Sequence, residues 1–214
     1  MNRLATALAL PLAAGWGLHT LALRRRLEAA HRDPLTGLLT RAPFEERAAR
    51  LLRAGPCAVV FVDLDGFKAV NDTHGHAAGD GILRATAGAL HDAATDAPDA
   101  VLARLGGDEF AAVTPMASPV ALPWLLRGLH DELTAPTWIE GRELTVGASV
   151  GGCWTGDLPD ASLSAAVRRA DEVMYLVKRG GGGWLPAAPG APALPTANGR
   201  RYGRPGTIAE GSRG

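Results

Sequence analysis

The residues best equipped for chemistry lie in the run Arg104, Leu105, Gly106, Gly107, Asp108, Glu109, Phe110. Two adjacent carboxylates follow directly on a glycine pair. Apolar runs of strand character flank them, with Val101, Leu102 and Leu105 before and Phe110 to Val113 after. Two residues that accept positive φ between two strands predict a tight hairpin turn at Gly106-Gly107. Lacking Cβ atoms, they also let a ligand or another backbone come close. Such a turn presents Asp108 and Glu109 at its exit, where hard oxygens can hold Mg²⁺ against a triphosphate. Taken alone, the pair reads more simply as a solvated acidic turn.

A second acidic element lies upstream. Val59, Val60, Phe61 and Val62 form a continuous apolar run, three of them β-branched, which fits a strand buried on both faces. Asp63 closes that run, so its carboxylate is expected at a strand end. Asp65 is expected to turn to the other face. Strands ending in Asp63 and in Asp108-Glu109 can bring three carboxylates together, and their repulsion is relieved by a divalent cation. The alternative for Asp63 is a helix N-cap.

Beyond Lys68, Asn71 and Asp80 face each other across a glycine-containing turn between two helical segments. A carboxylate that accepts from a ring N–H and an exocyclic amine, beside an amide that both donates and accepts, can read a guanine edge. The alternative for both is capping, Asp80 at a helix start and Asn71 at a helix stop. His74 and His76, two apart in a turn with no cysteine nearby, read as packed or solvated rather than metal-binding.

Taken together, several separated motifs resemble those of the GGDEF-domain diguanylate cyclases. Asp33-Pro34-Leu35-Thr36-Gly37-Leu38-Leu39-Thr40-Arg41 resembles the opening motif, Asp63 to Asp80 the metal and guanine segment, and Arg104 to Phe110 the signature. Ser149-Val150-Gly151 and Ala170 to Lys178 resemble the late strand and the final helix. The resemblance covers roughly residues 33–181. It implies an α+β, nucleotidyl-cyclase palm-like sheet covered by helices. It also implies Mg²⁺, with Mn²⁺ as the substitute, held by Asp63, the Leu64 carbonyl and Asp108, with Glu109 a second acidic ligand or a helper in activating the attacking hydroxyl. Asn71 and Asp80 would bind guanine. Lys68 and Lys178 would touch phosphates. Phe67, Gly106 and Gly107 would complete the substrate site. Lys68 and Lys178 are the only lysines of the chain, against twenty arginines. The implied reaction joins two GTP into cyclic di-GMP and two pyrophosphates, each 3′-hydroxyl attacking the other α-phosphate across a homodimer. The alternatives are a non-catalytic module that binds GTP or partners and signals by contact, and a cyclase making a mixed purine product; Asp80 favours guanine.

Two positions depart from the family pattern. The Arg-x-x-Asp motif of product inhibition falls on Ala97 and Ala100, so a feedback site for cyclic di-GMP is expected to be missing. A basic residue that many members carry four positions after the final lysine falls on Gly182, with Arg179 the nearest substitute.

The chain has 214 residues, enough for one core of ordinary size, and a formal net charge of zero, which leaves no electrostatic footprint for nucleic acid. Cys57 and Cys153 lie in apolar strand-like surroundings and read as buried free thiols of a reducing compartment. Leu4 to Leu23 is a twenty-residue run without a formal charge, followed by Arg24-Arg25-Arg26. Its length suits one membrane-spanning helix, and the arginines place the C-terminal side in the cytoplasm, where GTP is. A single-pass cell-membrane protein is therefore expected; a cleaved secretory signal is the alternative. The expected organisation is residues 1–32 as anchor and basic juxtamembrane segment, 33–181 as the GGDEF domain, and 182–214 as a disordered tail. Ten glycines and five prolines in the last 35 positions motivate the tail.

Periodicity predicts helices over 27–32, 42–52, 67–71, 81–92, 120–133 and 163–179. It predicts strands over 58–63, 101–105, 109–114 and 143–154.

Overall fold

A computed structural model describes residues 16, 31–160 and 162–190. The central strand is β1, Cys57–Asp65, and its burial on both faces follows from its continuous apolar sequence. It pairs antiparallel with β3 (Glu109–Pro115) on one side and with β6 (Gly147–Trp154) on the other. The outer strands are β2 (Val101–Gly106), next to β3, and β7 (Gly183–Pro186), parallel to β6. The sheet order is β2-β3-β1-β6-β7.

Strand alternation divides the core in two. Ala58, Val60, Val62 and Leu64 join a cluster with α3 (His76–Ala93) and α4 (Leu122–Leu133). Cys57, Val59 and Phe61 join a second cluster with α1 (Arg41–Ala54) and α5 (Leu163–Arg179). A short helix α2 (Phe67–His74) links β1 to α3. Helix α5 lies very close to β6 at Gly151. A Cβ there would stand 2.2 Å from the Met174 nitrogen and 2.5 Å from the Ala170 carbonyl. Ser162 caps α5 by accepting from the Ala165 N–H. Cys57 and Cys153 are buried free thiols, and burial pushes Cys153 up to about 12.

Several expectations change. The predicted strand 143–154 is two elements. Arg142–Leu144 is β5, paired with β4 (Thr137–Ile139) in a separate hairpin, and β6 starts at Gly147. The hairpin turn carries positive φ at both Glu140 (51°) and Gly141 (76°), which suits tightly twisted strands. Both linking helices begin or end beyond their predicted bounds, because α3 starts at His76 rather than Gly81 and α2 runs to His74. Residues 183–186, assigned by composition to the tail, form β7. Their backbone bonds to β6 outweigh a poor strand propensity. Residues 191–214 lie outside the described residues. So does the run Leu4–Leu23, apart from Trp16, and so do 27–30 of the predicted juxtamembrane helix. Arg32 forms an isolated bridge with Leu39. Among the described residues no helix is long and apolar enough to cross a membrane.

Candidate functional site

The site lies where β1 and β3 end side by side. Asp63 is the register partner of Glu109 on β3 and of Ser149 on β6. Directly paired residues project to the same face, so Asp63, Glu109 and Ser149 share the face covered by α1 and α5. Asp65 shares it too. Residues two apart on a strand point the same way, which corrects the expectation that Asp65 turns to the other side. Its carboxylate accepts from the Ser149 hydroxyl at 2.8 and 3.0 Å.

The acidic turn differs from its predicted form in one detail. Gly106 is still paired with Glu109, so the two-residue turn is Gly107-Asp108. Gly106 and Gly107 have φ of 154° and 52°, as the sequence suggested, and a register shift separates Arg104 from Gly106. Asp108 therefore sits in the turn and Glu109 opens the strand. The Asp108 carbonyl accepts from the Leu64 N–H at 3.3 Å, which stitches the turn to β1. Nothing lies within 4 Å of where a Cβ on Gly106 or Gly107 would be, so the space before the turn is open.

The charges in this corner are coupled. Burial raises the Asp63 carboxyl above its ordinary range; Lys178 opposes this, while Asp108 and Asp65 add to it. Lys178, reaching back from the last turn of α5, donates from Nζ to Asp63 Oδ1. Burial and the charge of Asp63 push Glu109 up to about 7; Arg41 on α1 pulls the other way, and Asp108 and Asp171 push further. Among the described residues, no three His, Cys, Asp or Glu side chains stand close enough to enclose a metal by themselves. The donor set nonetheless suits Mg²⁺, which takes one or two carboxylates and completes its shell with water and phosphate oxygens. Asp63, Asp108 and the Leu64 carbonyl supply that many hard donors, with Glu109 beside them.

The second half of the site is formed by α2 and α3. The N-cap of α2 is Gly66, which removes the capping reading of Asp63. The N-cap of α3 is Gly75, so Asp80 lies inside the helix and caps nothing. Asn71 lies against Gly79, where a Cβ would come 2.1 Å from its Oδ1. Gly79 thus makes room for the Asn71 amide one residue from Asp80. The sequence reading missed that glycine, although it lies between the two candidate residues. Lys68 is exposed, with no ion-pair partner among the described residues, and remains available to a phosphate. Phe67 is half-buried and packs on the core at the start of α2, an anchoring position. His74 and His76 are exposed.

Both departures from the family pattern have a place in the structure. Gly182 has φ of 95°, and a Cβ on it would stand 3.0 Å from Asp65 Oδ2. The Arg179 guanidinium lies 6.0 Å from the centre of the Tyr175 ring on its own helix. Ala97 and Ala100 line a cavity together with Arg32, Arg47 and His91.

Comparison with known proteins identifies the class. Residues 30–183 match the family described as diguanylate cyclase, GGDEF domain, and the chain belongs to that family. It is 45% identical over 179 residues to an uncharacterized 19.3 kDa protein of Streptomyces ambofaciens, covering 83% of this chain and 94% of that one. It is 36% identical over 155 residues to the diguanylate cyclase DgcP of Pseudomonas aeruginosa, covering 70% of this chain but 22% of DgcP. Among solved structures, it resembles the GGDEF domain of the P. aeruginosa protein TpbB (YfiN). The TM-score is 0.68 at 33% identity, over 74% of this chain and 95% of that one. It also resembles the coiled coil and GGDEF domain of Caulobacter crescentus DgcB, solved in complex with c-di-GMP. There the TM-score is 0.72 at 26% identity, over 87% of this chain and all of that one.

Proposed function

We propose that this chain is a diguanylate cyclase that condenses two GTP into cyclic di-GMP and two pyrophosphates across a homodimer. The single observation that carries the reading is the register pairing of Asp63 with Glu109, with Asp108 in the adjoining turn and Lys178 on Asp63. Asp63, the Leu64 carbonyl and Asp108, with Glu109 beside them, would hold Mg²⁺ or Mn²⁺, which when bound supplies charge neutralisation at the phosphates. Asn71 and Asp80 bind the guanine edge. Lys68 and Lys178 bind phosphate oxygens, so that positioning and charge stabilisation lower the barrier.

In each half-site the 3′-oxygen of one GTP forms a bond to the α-phosphorus of the other, and the bond to pyrophosphate breaks. The hydroxyl proton needs an acceptor. Glu109 and Asp63 are the candidates, and Asp63 is among the ligands that would hold the cation, which leaves Glu109 beside it. Glu109 is therefore the acceptor in this reading.

The second reading, a GTP-binding module without turnover, is favoured by Gly182, which leaves one phosphate contact of the family unfilled. The test uses the purified full chain with Mg²⁺ and GTP, with and without ATP, and chromatography of the products. Cyclic di-GMP from the parent, and none from a variant with Asp108→Ala and Glu109→Ala, supports the cyclase. GTP binding without product in a demonstrably dimeric sample supports the second reading. A mixed dinucleotide when ATP is added would refute guanine selection by Asp80. The run Leu4–Leu23 supports a further proposal, a single-pass anchor with the GGDEF domain on the cytoplasmic side. Release of the full chain from membranes by alkaline carbonate would refute that anchor.

A further inference from the structure

The site just described gives no role to one cation beside it. Arg104 is the last residue of β2 before the register shift, and its side chain is only 15% exposed. Its Nε and Nη2 donate to the Gly107 carbonyl at 3.0 and 2.8 Å. Its Nη1 donates to both oxygens of Asp33 at 3.1 and 3.2 Å. One planar guanidinium thus serves two partners at fixed directions, a geometry that a lysine ammonium does not reproduce. Asp33 is itself fixed, because its Oδ1 accepts from the Thr36 N–H at 2.9 Å and the Thr36 hydroxyl at 2.7 Å. Backbone bonds hold the same segment to β2, from Leu39 N–H to the Leu102 carbonyl at 3.2 Å and from Arg104 N–H to the Leu39 carbonyl at 3.0 Å.

The Gly107 carbonyl and the Asp108 N–H belong to one peptide plane. The next plane is held by the Asp108 carbonyl, which accepts from Leu64. The planes on both sides of the Asp108 Cα are therefore anchored, one by Arg104 and one by β1. The neighbouring glycines offer no side chain that could do this, and their positive φ values leave the turn with few restraints of its own.

We infer that Arg104, anchored by Asp33, is a positioning residue for Asp108. It sets the direction in which that carboxylate leaves the turn, and through it the affinity for a divalent cation under the nucleotide phosphates. The inference rests on the cyclase reading of the site and adds a residue to it.

The test compares the full chain with Arg104→Met, Arg104→Lys, Asp33→Asn and the double variant Asp33→Asn/Arg104→Met. Mn²⁺ binding in the presence of GTP is read by electron paramagnetic resonance, and GTP binding in EDTA by calorimetry. The expected result for Arg104→Met is Mn²⁺ affinity lowered about tenfold, as for loss of other groups that orient metal ligands. GTP binding in EDTA stays at the parent value, since Asn71 and Asp80 read the base elsewhere. Excess Mn²⁺ brings turnover back toward the parent. Arg104→Lys falls between the two, and the double variant is no worse than Arg104→Met. Mn²⁺ affinity within about twofold of the parent in a folded Arg104→Met overturns the inference. So does an equal loss of GTP binding in EDTA, which would mark a general loosening. If Arg104→Met does not fold, parent-like Mn²⁺ affinity in both Arg104→Lys and Asp33→Asn overturns it. A parent that binds GTP but no Mn²⁺ instead overturns the reading of the metal site, and this inference falls with it.

Discussion

Replacing Glu109 by glutamine should make the metal-free protein more stable at alkaline pH and leave it unchanged at acid pH. The folded protein pushes the Glu109 carboxyl from 4.5 up to about 7, chiefly by burial and then by the charge of Asp63. A raised pKa carries a definite sign. Between pH 4.5 and 7 the folded state binds a proton that the unfolded chain has released, so stability falls as pH rises through that window and stays low above it. The full displacement corresponds to about 3 kcal/mol, and partial exposure to water reduces it to about 1–2 kcal/mol. Glutamine keeps the shape and cannot ionise. Urea denaturation in EDTA at pH 4, 6, 7 and 8 should show parent and Glu109→Gln converging at about pH 4, with the variant ahead by about 1–2 kcal/mol at pH 8. In thermal melts that gap is about 2–8 °C for a chain of this size. A pH-independent difference, or a variant less stable at pH 8, would refute the electrostatic account of this corner. The same variant should lose cyclase activity.

Gly151→Ala should cost about 3 kcal/mol or more in chemical denaturation, because its Cβ would meet the α5 backbone at 2.2 Å and cannot be relieved by a rotamer change; a loss below about 1 kcal/mol would mean the helix yields easily. Gly79→Ala should weaken GTP binding about tenfold with little change in fold, since Asn71 Oδ1 must leave its place 2.1 Å from the new methyl; unchanged affinity by calorimetry would remove Asn71 from the base site. Titration of cyclic di-GMP into GTP-free protein should show no tight site outside the catalytic cleft, given Ala97 and Ala100; a tight site that survives loss of Asp80 would contradict this. Gly182→Arg should tighten GTP binding if a phosphate contact is truly missing, although φ of 95° at that position costs about 1 kcal/mol of stability; weaker binding would count against that reading.

The parts of the fold legible in the sequence were those with strong local signals. Strand β1 announced itself by an unbroken apolar run, and α5 by its period. Strands β4 and β7 were missed because three or four residues carry no period, and Gly183-Trp184-Leu185-Pro186 looks like tail by composition. The register of β1 with β3 is a property of the sheet, and it decides that Asp63 and Glu109 are neighbours. The carboxylates themselves, Asn71 and Asp80 were readable as residue types at telling positions. Their supports were not. Ser149 meets Asp65 across 84 positions and Lys178 meets Asp63 across 115, and no local pattern marks either contact. Gly79 left a signal only in hindsight, as the small residue between two polar ones.

The ammonium of Lys178 on Asp63 has one consequence for how such a protein lives before it meets its substrate. The cleft carries its own counter-ion, so the chain can reach its native state without waiting for a dissolved cation. On the cyclase reading, an arriving triphosphate would offer that ammonium a more highly charged partner and leave the aspartate to the cation.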